Sequence, residues 1–205
     1  MALDEWIVAA DEMLRTLSGG SHAARAHPTA GEATLSPHES KLSGALIRVD
    51  HVGEVCAQAL YQAQALVARS PEVRRQMRRA ATEEVDHLAW TERRLAELGA
   101  RTSMLNPLWF AGAFGLGLAA GLAGDRWSLG FVLETERQVE QHLAGHLDRL
   151  PAGDAPSRAI VEQMKVDEAH HAEAARAAGA AELPAPIRLA MRLAARLMTG
   201  TAHYV

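Results

Sequence analysis

The sequence predicts an all-α fold, a four-helix bundle, and three observations carry that expectation. Of the 205 residues 48% are hydrophobic but only 4% aromatic, and Ala, Leu, Glu and Arg abound, a composition that favours helix over sheet. Four stretches place apolar residues at alternating steps of three and four, the spacing of one helical face. Each of those four stripes carries one glutamate near its middle.

The elements follow in order. Residues 1–17 form an N-terminal helix with Leu3, Trp6, Ile7, Ala10, Met13, Leu14 and Leu17 on one face. Asp4, Glu5, Asp11 and Glu12 interrupt its apolar pattern, which argues against a signal or transit peptide. Residues 18–35, rich in Gly, Ser, Ala, His and Pro, are expected to be a flexible linker. A single domain then spans 36–205. Ser36-Pro37-His38-Glu39 is a helix start, with Ser at the N-cap, Pro in the first turn and Glu three residues on. That helix runs to about Arg69, and Ser70-Pro71-Glu72 opens a second that ends at Gly99. A third spans roughly Asp125 to Leu150 and a fourth about Pro156 to Gly179.

Composition narrows the function. A formal net charge of −4 without a basic stripe argues against nucleic acid as a partner. Cys56 is the only cysteine, so an intrachain disulfide and a thiolate metal site are both excluded, and a reduced, intracellular setting is expected. No Gly-x-Gly-x-x-Gly follows a strand, so a dinucleotide-binding domain is not expected.

The stripes carry the chemistry. They read Ile47, Asp50, Glu54, Ala57, Tyr61; then Met77, Ala81, Glu84, Leu88, Thr91; then Leu129, Val132, Glu136, Val139, Leu143; then Val161, Met164, Glu168, His171, Ala175. Taking a carboxylate into a dry core costs several kcal/mol unless it is paired or coordinated, so four such glutamates need a shared partner. Two of them open Glu-x-x-His motifs, Glu84 with His87 and Glu168 with His171, and residues three apart share a helical face. One such motif arises often by chance on a helix. Here two copies alternate with two lone glutamates, and the partners are 30 residues apart in one half and 32 in the other. Two similar helical hairpins therefore give two Glu and one His each, the ligand set of ferritin-like di-iron and di-manganese carboxylate proteins. Hard oxygens with one imidazole per metal suit iron or manganese over copper or zinc.

Other polar residues keep two readings. Asp86 and Asp167 either orient a ligand histidine or lie on a solvated face. His51, His142, His146 and His170 are ordinary partly buried histidines, with His142, six residues after Glu136, the best placed for a role. Tyr61 belongs to the core or lines the site, and Cys56 is a small buried hydrophobe.

An apolar inter-helix insert, 107–124, is uncharged from Leu108 to Gly124 and includes Gly117-Leu-Ala-Ala-Gly121. It falls short of the ~20 residues that cross a bilayer. It is either a buried connection, with a dimer contact through small residues, or a segment lying in a membrane interface. The tail, 186–199, is expected to be an amphipathic helix with Arg188, Arg192 and Arg196 on one face, suited to an anionic membrane surface or to docking on the bundle.

Ile47-Arg-Val-Asp-His-Val-Gly-Glu54, Glu84-Val-Asp-His87-Leu, Asn106-Pro-Leu-Trp109 and Asp167-Glu-Ala-His-His171 resemble, in order and spacing from about Leu42 to Val205, the demethoxyubiquinone hydroxylases of ubiquinone biosynthesis. The resemblance implies a membrane-associated di-iron monooxygenase that uses dioxygen to hydroxylate the ring of a polyprenylated demethoxyubiquinol. Its electrons would come from the quinol or a reduced nicotinamide. It carries metal-ligand and catalytic roles onto Glu54, Glu84, His87, Glu136, Glu168 and His171. It further implies a peripheral protein on the cytoplasmic face of a bacterial inner membrane, with homo-oligomers and other quinone-biosynthesis proteins as partners. Residues before Leu42 fall outside it, and some members carry a tyrosine where this chain has Leu143. Two rival functions remain at this level, a ferritin- or rubrerythrin-like iron oxidase or peroxidase and a non-catalytic membrane-associated helical scaffold.

Overall fold

A computed structural model describes residues 3–28, 30–32 and 34–205. The side chains of residues 3–6 lie outside the description, and the apolar positions Leu3 and Trp6 and the acidic Asp4 and Glu5 with them. Among the described residues there are seven helices and no strand: α1 (Leu3–Ser18), α2 (Pro37–Val67), α3 (Pro71–Glu97), α4 (Asn106–Leu122), α5 (Asp125–Arg149), α6 (Ala155–Ala177) and α7 (Ala185–Ala202).

The starts are set by local chemistry. Ser36 closes a capping box with Glu39, whose Oε2 accepts from the Ser36 amide at 2.9 Å. Ser70 accepts from the amides of Glu72 and Val73 at the head of α3. Asp154 caps α6 by accepting from the Ser157 amide, and it also accepts from Arg94 Nη2 at 2.8 Å. Gly124 joins α4 to α5 at φ 112, a left-handed conformation that disfavours a side chain.

The bundle is two hairpins, α2 with α3 and α5 with α6, brought together by contacts of α3 with α6 and α2 with α5. Two apolar clusters fill it. Tyr61, Ala65, Met77, Leu129, Val132 and Ala175 belong to one, and Ile47, Trp90, Leu95, Leu143, Ile160 and Met164 to the other. Along every one of the four helices the glutamate falls between those two sets. The carboxylates thus form a polar layer sealed by apolar packing on both sides.

The insert is a helix laid along α2. Gly117 and Gly121 face α2 so closely that a Cβ on Gly117 would come within 2.8 Å of the Leu60 carbonyl oxygen, and one on Gly121 within 2.3 Å of Val67 Cγ2. The small residues therefore serve a helix contact within this chain, where the sequence had left a dimer contact open. Phe110 and Ala113 pack inward with Val55, Ala59 and Leu88. Leu108, Leu116 and Leu122 stay exposed. Helix α7 rests on the bundle through Ala202, which packs with Val49 and Val52 beside Trp109 and Met198. Its arginine face leans partly on the bundle, with Arg192 Nη1 3.8 Å from Glu134 Oε1. Its Leu189, Leu193 and Leu197 point away, each more than half exposed.

Candidate metal centre

Helices α2, α3, α5 and α6 each deliver their stripe glutamate to one place, and all six sequence-predicted residues meet there. Glu84 and His87 are 0% exposed, and Glu54, Glu136, Glu168 and His171 are also buried. His87 Nδ1 lies 2.6 Å from Glu84 Oε2, 3.4 Å from Glu54 Oε2 and 3.4 Å from Glu168 Oε1. His171 Nδ1 lies 3.0 Å from Glu84 Oε1 and 3.3 Å from Glu168 Oε2. Glu84 and Glu168 thus turn one oxygen toward each histidine, while Glu54 belongs to the His87 half. Glu136, Glu168 and His171 offer donor atoms all within 4.8 Å of one another, as do Glu54, Glu84, His87 and Glu168.

This donor set fits two hard divalent cations. Each half offers one imidazole and one carboxylate of its own, with two carboxylates placed to be shared. Both oxygens of Glu84, Oε2 of Glu54 and Nδ1 of His87 are buried without a hydrogen bond of ordinary geometry among the described residues. Such atoms are costly unless a cation satisfies them.

The electrostatics of the metal-free cluster point the same way. Burial, reinforced by the charge of Glu84, holds the Glu54 carboxyl well above the usual carboxylate range. Burial and the charge of Glu168 do the same to Glu136. Burial would raise Glu84 too, but His87 and His171 pull it below the ordinary value. Burial alone would depress both imidazoles, yet the facing carboxylates outweigh it. His87 titrates well above the ordinary range, and His171 is pushed up to about 12. Each protonated imidazole puts one positive charge among the carboxylates.

The far nitrogen of each histidine is held by the opposite hairpin. Asp167 Oδ2 on α6 lies 2.9 Å from His87 Nε2, and Glu83 Oε2 on α3 lies 2.8 Å from His171 Nε2. Asp167 and Glu83 immediately precede Glu168 and Glu84, so an acid-Glu pair is the signal in the sequence. Of the two acids singled out beside the motifs, Asp167 orients a histidine, whereas Asp86 accepts from Arg25 Nε at 2.6 Å. Tyr61 does line the site: its hydroxyl donates to Glu136 Oε1 at 2.5 Å. Gln58, one turn beyond Glu54, donates to the Ala81 carbonyl.

The remaining candidates group elsewhere. His146 Nδ1 lies 2.7 Å from Asp50 Oδ1 and His142 Nε2 3.7 Å from the same oxygen, with the two imidazole rings 4.0 Å apart. Burial lowers His142 to about 4. His51 faces Glu92 at 3.5 Å, and His170 is exposed. Burial pushes the Cys56 thiol up to about 12, which leaves it inert beside Trp109.

A family model described as ubiquinone biosynthesis protein COQ7 matches residues 41–202. A 3-demethoxyubiquinol 3-hydroxylase of a Polaromonas species is 64% identical over 100% of this chain and 99% of its own length. Proteins of the same name from Variovorax paradoxus and Chromobacterium violaceum are 62% and 58% identical, each over 99% of this chain and 98% and 100% of their own lengths. The similarity therefore extends through residues 1–40, beyond the family match and beyond the resemblance seen in the motifs.

Proposed function

The chain belongs to the ubiquinone biosynthesis protein COQ7 family, and from that premise we propose that it is a 3-demethoxyubiquinol 3-hydroxylase working at a two-iron centre. The reaction inserts one oxygen atom of dioxygen into a ring C–H bond. The second oxygen leaves as water, with two electrons and two protons from the quinol, or with two electrons and one proton from a reduced nicotinamide and the second proton from solvent. The observation that carries the reading is the convergence of four buried carboxylates and two imidazoles between two apolar clusters.

Glu54 and His87 would hold one iron, Glu136 and His171 the other, with Glu84 and Glu168 shared between them. Two bound irons supply the oxygen activation and electron storage that carboxylates and imidazoles lack. The residues of the chain do the rest. Asp167 and Glu83 hold the far imidazole nitrogens, so that both Nδ1 atoms stay turned to the carboxylates. The Tyr61 hydroxyl keeps a proton at Glu136 Oε1. The apolar clusters exclude water from the layer between them. The cavity of about 330 Å³ between α1 and the α2–α3 hairpin is lined by none of the six residues, whereas a smaller one of about 160 Å³, lined by Tyr61, Met77, Val132 and His171, borders the cluster directly and gives an approach to it.

A polyprenylated substrate resides in lipid. Among the described residues no helix is long and apolar enough to cross a membrane. The exposed leucines of α4 and α7 support peripheral attachment, on the cytoplasmic face of the inner membrane in a bacterium. Iron content and oxygen uptake with a short-chain demethoxyquinol test the whole reading. The parent should hold about two irons and consume oxygen. Glu84→Ala or Glu168→Ala should lose turnover and iron while the helical signal persists, and full activity in either would remove the metal mechanism.

A further inference from the structure

Arg25 lies in the stretch before the bundle, yet its guanidinium sits at the junction of α3 and α6. Its Nε donates to Asp86 Oδ2 at 2.6 Å, and its Nη1 lies 2.8 Å from Asp167 Oδ2. Nη2 is 3.4 Å from His87 Nε2, and the group lies over the buried Trp90 ring, 4.8 Å from its centroid. The backbone is anchored as well: the Ala24 amide donates to Asp86 Oδ1 at 2.7 Å and the Arg25 amide at 3.3 Å. One carboxylate thus grips both the main chain and the side chain of this segment. The two acids it serves are nearly out of water, at 4% and 13% side-chain exposure, and Arg25 is the cation between them.

We propose that the segment around Arg25 is a strap that completes the His87 half of the metal centre. Arg25 is a positioning residue: it fixes Asp167, and Asp167 fixes His87. The proposal rests on reading the six buried residues as metal ligands. A planar guanidinium spans two carboxylates at once, as a point-charge ammonium does not. The two halves are built differently. His171 is held by Glu83, whose own partner Arg79 sits one turn away on the same helix and is 82% exposed. That exposed local pair contributes little. In the His87 half, Asp167 also accepts from the neutral amide of Gln163 one turn back at 3.0 Å, but its cationic partner besides His87 is Arg25, far off in sequence, at 2.8 Å. Loss of Arg25 therefore acts on one metal position and spares the other.

The test is an anaerobic Co(II) titration of the full chain, followed by visible absorption, with circular dichroism as the check on folding. The parent should take two equivalents. Arg25→Ala should keep one at parent affinity and weaken the other by up to about 10-fold, the lower end of the loss expected when the direct outer partner of a ligand histidine is removed. Arg25→Lys should fall between. Asp86→Asn, which loosens the anchor, should shift in the same direction by less, and Arg79→Ala should change the titration least. Two equivalents bound at parent affinity and with the parent spectrum in Arg25→Ala would overturn the strap. If that variant does not fold, parent-like titrations of both Arg25→Lys and Asp86→Asn would overturn it instead. A parent that takes up no Co(II) pair would sink the metal reading itself, a different failure from a parent that binds two and a variant that does too.

Discussion

Asp167 on α6 lies 2.9 Å from Nε2 of His87 on α3, and this contact decides which nitrogen of the imidazole turns toward the carboxylates. Glu83 does the same for His171 from the other hairpin at 2.8 Å. Each hairpin therefore orients the histidine of its partner, and the two halves of the site are locked together by acids that stand outside the six-residue cluster.

Removing either acid should loosen one imidazole without touching a ligand. Asp167→Ala and Glu83→Ala should each lower metal affinity about 10- to 100-fold. Equilibrium titration with Co(II) or Mn(II) measures this. Parent-like affinity in both variants would mean that packing alone orients the rings.

The close passage of α4 over α2 gives a prediction about stability. Gly117→Val would drive its side chain into the Leu60 carbonyl oxygen, 2.8 Å from the position of a Cβ, and should cost about 1–3 kcal/mol. Gly115 on the same helix has open space around it, so Gly115→Ala should stabilise by about 0.5–1 kcal/mol through helix propensity. Urea unfolding of both variants separates close packing from a general intolerance of α4 to substitution.

The exposed stripe of α7 gives a prediction about lipid. Changing Leu189, Leu193 and Leu197 to Ser should weaken binding to vesicles by about tenfold per leucine that enters the bilayer surface. Changing Arg188, Arg192 and Arg196 to Gln should have a smaller effect that fades with salt, because Arg192 already leans toward Glu134. Sedimentation with anionic vesicles distinguishes the two. Equal binding by the leucine variant and the parent would exclude α7 as the attachment surface.

The four buried glutamates were legible because a charged residue in the middle of an apolar stripe is physically expensive, and four at matching heights imply a common partner. Glu83 was not legible. It stands one residue off the stripe of α3, and its role exists only once α6 brings His171 against it. Arg25 was hidden for a related reason: its partners lie 61 residues or more downstream, and its own segment has no periodicity to mark it as structured. Tyr61 sat in the stripe as an aromatic would in any core, and nothing in its spacing distinguished packing from the bond to Glu136. Gly117 and Gly121 announced a close helix contact but not its partner, which is α2 of the same chain.

The protonation of the metal-free cluster sets how metal stabilises the fold. Glu54 and Glu136 hold protons well above 4.5, the value of an unperturbed Glu, and His87 and His171 hold theirs well above 6.5. In each case the folded chain binds protons that the unfolded chain has released. Metal-free stability should therefore fall as pH rises, from 4.5 through the raised carboxyl values and from 6.5 toward about 12 for His171. Glu84 is shifted downward, so its contribution is complete above 4.5 and is lost only in acid, where it does not oppose this trend. A cation needs the same groups deprotonated, and its binding expels those protons. Affinity should then rise about tenfold per pH unit for each proton released, and bound metal should stabilise the fold increasingly from pH ~5.5 to ~8. Thermal melts with and without Mn(II) across that range give the measurement. A gap between loaded and metal-free melting temperatures that stays flat or narrows as pH rises would mean that protons do not stand in for metal at these six residues.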